Sequence, residues 1–206
     1  MKKRQNAEIR KPKIIKSFYQ TILDEGIEGA SIAKVAKRIN INATLVLHYF
    51  GNKENMILEL VDYVIDEYTK LFLKSRSKAT DPEERLPALL NTIWSRAYYE
   101  KIKIAASLSV VSISFRNKRI QNKIKGLYKI YKDFLISELK DLYDNGIVEN
   151  QDFERTSNVL LTMIEGSRHF NHFFVKNKDV DQYNHDMAMA AMGVLKKPSW
   201  QMNISA

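Results

Sequence analysis

Apolar residues along this 206-residue chain recur every three or four positions and almost nowhere alternate, which predicts helices and no sheet. Ile14, Ile15, Phe18, Ile22 and Leu23 form one stripe and predict a first helix from about Ala7 to Glu25, with Pro12 as its start or a kink. Gly26 and Gly29 break that pattern, and Ser31 is a good N-cap for a second helix through Arg38, with Val35 and Ala36 facing inward. Asn42 caps a short third helix over Ala43 to His48. Asn52 caps a long fourth one, which buries Met56, Ile57, Leu60, Val61, Tyr68 and Phe72 and reaches about Ser75. Thr80-Asp81-Pro82-Glu83 starts a helix expected to pass through Trp94 to about Tyr99. A short apolar segment, Ile102 to Phe115, precedes a helix from Lys118 to Tyr143 that Asn145-Gly146 closes. Asp152 opens a further helix to about Lys176, and Asp179 or Asp181 opens the last one, to Leu195. The fold class is all-α.

Composition removes several chemistries. With no cysteine there is no disulfide framework, thiolate metal site or cysteine nucleophile, and a reducing cytoplasmic setting is expected. No apolar run approaches the length needed to span a bilayer, so no membrane partner is expected. No HExxH, nucleophile elbow or phosphate loop occurs, so an enzyme has little support and no cofactor is implied. Charge adds something positive. Residues 1–53 hold eleven Lys and Arg against four acids, most of the net +9 of the whole chain. An N-terminal segment that meets a polyanion would show this asymmetry, and so would a solvated basic face.

The stretch ININATLVLHYFGNKE, residues 39–54, favours the polyanion. Asn40 can adopt the left-handed conformation a tight turn needs, and two short helices on either side of it have helix-turn-helix spacing. In that motif the second helix enters the major groove of DNA. Thr44 can hydrogen-bond a base edge or phosphate and offers a methyl group to thymine, while His48 and Tyr49 can donate to phosphates. Lys53 sits in the first turn of the fourth helix, where an anion is already favoured. A helical corner unrelated to DNA, with Tyr49 and Phe50 as core aromatics, is the competing use of the same residues.

Residues 31–56, SIAKVAKRININATLVLHYFGNKENM, resemble the DNA-binding signature of TetR-type transcriptional regulators, and HYFGNKE resembles the form in BetI-like members. The resemblance covers residues 7 to about 60. It implies an N-terminal three-helix domain over 1–53 and a larger helical bundle over 54–198, about nine helices in all, with 199–206 as a tail. It places Ser31, Thr44, His48, Tyr49 and Lys53 at the DNA backbone, with Ala43 and Leu45 near bases; Asn42 and Leu47 join them as candidates because residues 42 to 48 form the helix that enters the groove. Two departures stand out: the usual turn glycine is Asn40, and the usual recognition-helix Gly and Tyr are Thr44 and Leu47. Sequence preference therefore does not carry over from relatives.

The family implies that residues 54–198 bind a small-molecule inducer and form a homodimer on a double-stranded DNA operator. Trp94, Tyr98, Tyr99, Phe115, Tyr128, Tyr131 and Phe170 are the candidate pocket, although an aromatic stripe at helical spacing is more often core. Small residues and Met interleave in the last two helices, which suits close helix packing, including a four-helix interface between subunits. Met163, Ser167, Phe170, Phe174, Met187, Ala190, Ala191 and Val194 are the candidates there. Glu165, His169 and His172 share a face at spacing that metal sites use, but histidines satisfied by hydrogen bonds are commoner and no metal is assigned. The reading is a ligand-responsive repressor. A helical small-molecule-binding or scaffold dimer without operator binding is the alternative.

Overall fold

The computed structural model describes residues 2–79, 81–149 and 152–196, without the side chains of 2–7, 78 and 196. The expected tail, 199–206, lies outside them, as do Thr80 and Pro198. The described residues form ten α-helices and no strand: α1 Lys2–Gly29, α2 Ile32–Arg38, α3 Ala43–Phe50, α4 Lys53–Lys78, α5 Pro82–Ile93, α6 Arg96–Lys101, α7 Ile104–Ser114, α8 Lys118–Asp144, α9 Phe153–Phe174 and α10 Val180–Lys196. A single 3-10 turn, Asn177–Asp179, precedes α10.

Two boundaries differ from the periodicity. α1 begins earlier than the apolar stripe and runs through Pro12, which lies on an exposed side of the helix. Gly26 interrupts it at φ 70°, and one last turn closes through the Ala30 N–H to the Gly26 carbonyl at 3.1 Å. The helix expected through Trp94 to Tyr99 is two helices. Trp94 leaves helical geometry (φ −100°, ψ 58°), and Ser95 starts α6 by accepting the Tyr98 N–H on its hydroxyl at 3.1 Å.

The helices gather into two compact units. The first takes the described residues up to 68 and 102–127, the second those of 69–101 and from 128 onward, and the chain passes between them within α4, between α6 and α7, and within α8. The first unit is thus larger than the expected 1–53. The cause is α7, which packs on α1, where the Tyr19 hydroxyl accepts the Lys103 N–H at 2.8 Å. Its core is Ile14, Phe18, Val35, Val46 and Met56, all at most 1% exposed.

In the second unit α9 packs on α10 and α10 on α5. Leu142, Leu195 and Ile93 are buried there with Trp94, whose Nε1 donates to the Ser167 hydroxyl at 3.0 Å. The buried Glu138 carboxylate accepts from Arg76 at 2.7 Å and Arg85 at 3.3 Å, and Arg85 also pairs with Asp141. Without those cations Glu138 would be an uncompensated buried charge.

Candidate nucleic-acid interface

The helix-turn-helix corner is built by local signals. Ser31 caps α2 by accepting the Lys34 N–H at 3.3 Å. α2 ends in a paired closure: the Asn40 N–H reaches the Lys37 carbonyl at 3.2 Å and the Ile41 N–H the Ala36 carbonyl at 3.0 Å. This Schellman arrangement needs a left-handed residue after the helix, and Asn40 supplies it at φ 52°. Among the described residues it is the one non-glycine with positive φ. Two residues on, the Asn42 side chain accepts the Thr44 N–H at 2.8 Å and opens α3.

α3 ends as tightly. Gly51 takes φ 75° and donates to the Leu47 carbonyl at 2.7 Å. Asn52 then accepts the Asn55 N–H at 2.8 Å, while the Asn55 side chain donates back to the Phe50 carbonyl at 2.7 Å. Both ends of an eight-residue helix are therefore pinned, and its rotation is set by Val46 at 0% and Phe50 at 5% exposure. With those two inward, Thr44, Leu47 and His48 face outward at i, i+3 and i+4, and Ala43, Leu45 and Tyr49 are half-buried at the flanks. The His48 and Tyr49 rings lie 5.6 Å apart, so His48 stands against a neighbouring ring as it projects.

An open hollow of about 630 Å³ adjoins this face, with Arg10, Lys13 and Lys16 of α1, Arg38 of α2 and Leu45 of α3 on its walls. The α1 cations are exposed. In the sequence they count only as part of the N-terminal net charge; their three-residue spacing on one side of α1 is the signal that marks them for this site. Lys11 on the same helix is committed elsewhere, to Glu59 at 3.0 Å and over the Phe50 ring at 5.4 Å. Arg38 is held by Asp24 at 2.6 Å, and Lys34 pairs with Glu25. Lys53, expected at a phosphate, donates to the Ile27 carbonyl and, at 3.2 Å, to that of Glu28. A phosphate would have to compete with both.

Residues 14–60 match the family described as bacterial regulatory proteins, tetR family, and residues 81–196 match the tetracyclin repressor-like C-terminal domain. The chain belongs to the TetR family. Among curated relatives, this TetR-family chain is 25% identical over 114 residues to the HTH-type transcriptional regulator BetI 1 of Chromohalobacter salexigens, a match over 55% of this chain and 56% of that one. It is 27% identical over 131 residues to BetI of Brucella canis, over 64% of each chain. The matches thus span between about half and two thirds of these relatives' lengths. Among solved structures, a TetR transcription regulator from Haloarcula marismortui superposes with a TM-score of 0.79 at 18% identity, covering 92% of this chain and 100% of the other. A transcriptional regulator from Saccharomonospora viridis in complex with choline gives 0.71 at 16% identity, over 87% and 94%. Likenesses at these identities are likenesses of fold.

In the second unit the TetR-family chain holds a cavity of about 150 Å³ lined from α4, α5, α6, α8 and α9. Of the seven pocket candidates it takes Tyr98 and Tyr131. The others stand elsewhere for identifiable reasons. Trp94 is core, tied to Ser167. Tyr99 lies beside the same hydroxyl at 3.5 Å, its phenol pushed up to about 12 chiefly by burial. Burial also pushes Tyr128 up to about 12, with Glu165 adding to the shift. Phe115 is 79% exposed in the first unit, and Phe170 stacks on Tyr183 at 6.0 Å. Phe72 and Phe134, which the sequence did not mark for a pocket, stack at 5.0 Å on its wall.

The interface candidates also divide. Phe170, Phe174 and Ala190 are exposed and Met163, Met187 and Val194 half-exposed, joined by exposed Phe173 and Met189. Ser167 and Ala191 are turned into the protomer, at 4% and 0% exposure, and have no surface to offer a partner. Their small size serves close packing inside the chain's own second unit. Among the described residues no three His, Cys, Asp or Glu converge as a metal site, and His169 Nδ1 lies 2.7 Å from the Glu165 carbonyl oxygen. No described helix is long and apolar enough to cross a membrane.

Proposed function

We propose that this chain is a transcriptional repressor that binds a palindromic double-stranded DNA operator as a homodimer and leaves it when a small molecule occupies the second unit. The observation that carries the reading is the outward face of α3, Thr44, Leu47 and His48, fixed by caps at both ends beside a basic hollow. A rigid short helix with hydroxyl, methyl and imidazole groups outward is what a major groove admits, and nearby cations supply the sequence-independent attraction.

Dimerisation is supported by the exposed Phe170, Phe173, Phe174 and Met189 of α9 and α10, a cluster unusual on a monomer surface. Two copies would present two recognition helices, which operator half-sites about 34 Å apart require. Ligand response is supported by the cavity and by the choline-bound structural neighbour. Release then means that ligand favours an arrangement with lower operator affinity, a difference in binding between two states.

Duplexes tiled across the DNA upstream of its own gene test this. The purified protein should bind one of them about a thousandfold more tightly than the rest, with affinity falling steeply as salt rises. A dimer that binds every duplex alike, or none, would instead be the scaffold or ligand-binding protein without an operator.

A further inference from the structure

We propose that the cavity of the second unit takes a small uncharged apolar molecule, about the size of one aromatic ring, and discriminates against charged molecules of the same shape. The inference rests on the ligand-response reading above for its biological use, but not for its chemistry.

The size follows from the volume. About 150 Å³ bounded by apolar side chains is the scale at which a protein cavity stays dry and accepts benzene. The stacked Phe72 and Phe134 rings, 28° from parallel, make one wall, and Tyr98 extends it with its ring 6.1 Å from Phe72. Ile93, Leu135 and Ile164 supply aliphatic surface. A flat ring can lie against the first group while its edge meets the second.

The charge preference follows from what is present on the walls. No ionised side chain is among the lining residues; the polar groups are the hydroxyls of Thr69, Tyr98 and Tyr131. An ion entering would give up water and meet no counter-ion. Aromatic walls can hold a cation by its attraction to ring faces, so the rings alone do not decide the sign. One ring face is already taken: the Arg168 guanidinium lies over the Tyr98 ring, 5.8 Å from the centroid. A second cation would have to use the remaining ring faces, with no carboxylate among the lining residues to neutralise it. An anion gains little from Arg168, which is not on the cavity wall and has Glu165 at 3.6 Å.

Entry is apolar too. Leu73 and Ile130 line the cavity yet are 58% and 45% exposed, and with exposed Thr69 they give the mouth a mostly hydrocarbon rim. Such a rim gives an apolar molecule contact before burial and offers an ion no opposite charge.

Ethylbenzene, benzylamine and benzoate share a ring and near-equal size but differ in charge, and calorimetry with the full-length protein compares them. Ethylbenzene should bind saturably, one per chain, with at least about tenfold higher affinity than either ion, a difference of about 1.4 kcal/mol. Equal or tighter binding of benzylamine or benzoate, or no binding by ethylbenzene, overturns the proposal. Leu161→Trp should fill the cavity and abolish ethylbenzene binding; if that variant does not fold, Ile130→Trp at the mouth should weaken it instead. A folded variant of either kind with unchanged affinity places the molecule elsewhere and also overturns the proposal. Operator binding measured with ethylbenzene saturating is a separate readout: occupancy without release defeats the repressor reading and leaves the cavity's chemistry standing.

Discussion

The Lys53 ammonium, in the first turn of α4, donates to the carbonyls of Ile27 and Glu28 at the end of α1. It joins the negative end of one helix to the start of another, satisfying carbonyls that have no partner within their own helix. Lys53→Met should therefore lower stability by about 1 kcal/mol in urea denaturation. Unchanged stability with a flatter salt dependence of DNA binding would make Lys53 a phosphate ligand and the carbonyl contacts incidental.

Asn40 sits at φ 52°, where a Cβ-bearing residue without a local hydrogen-bonding side chain is strained. Asn40→Ala should cost about 1 kcal/mol, and Asn40→Gly should stay within about 0.5 kcal/mol of the parent. Equal effects of the two would mean that the turn tolerates any backbone geometry.

Thr44 is exposed, and its backbone N–H, not its hydroxyl, makes the cap contact with Asn42. Thr44→Ala should leave the melting temperature unchanged and alter operator affinity or base preference by about 1 kcal/mol in competition binding. A variant that melts early would assign Thr44 to the fold.

Neighbouring alanines on α10 should separate folding from assembly. Ala190 is exposed and Ala191 is 0% exposed. In sedimentation, Ala190→Glu should give folded monomers. Ala191→Glu, which buries a charge, should lose about 3 kcal/mol or more of stability before assembly is reached. A dimer that survives Ala190→Glu intact places the interface away from this surface.

Tyr99 and Tyr128 both have phenols raised to about 12, mainly because burial disfavours the phenolate. The unfolded chain ionises near 10, so above that pH it sheds protons that the fold retains. Their contribution to stability is complete below about pH 10 and is lost as pH rises through about 12. Urea midpoints should fall across that window, and less steeply in Tyr99→Phe; an identical fall in the variant would remove Tyr99 as a cause.

The legible parts of this chain are those built from contacts a few residues apart. Ser31, Asn40, Asn42 and Asn52 each act on backbone groups within five residues, and each was readable as a cap or turn. The cavity was not, because Phe72 and Phe134 meet across 62 positions and periodicity marks only that both face inward. Trp94 reads as a pocket candidate because it belongs to a set of aromatics able to line an apolar cavity, whereas its indole N–H is satisfied by Ser167 on α9 within the core. Even a local signal was lost where a stronger pattern overlaid it: Ser95 caps α6 inside what reads as one continuous apolar stripe.

Leu47, 45% exposed at the middle of the outward face of α3, can neither donate nor accept a hydrogen bond. In a major groove such a side chain registers a base only by the carbon it presents, and the 5-methyl of thymine is the carbon on offer. To that position a methylated cytosine and a thymine look alike. The operator would then be sensitive at one site to the methylation state of the DNA as well as to its sequence.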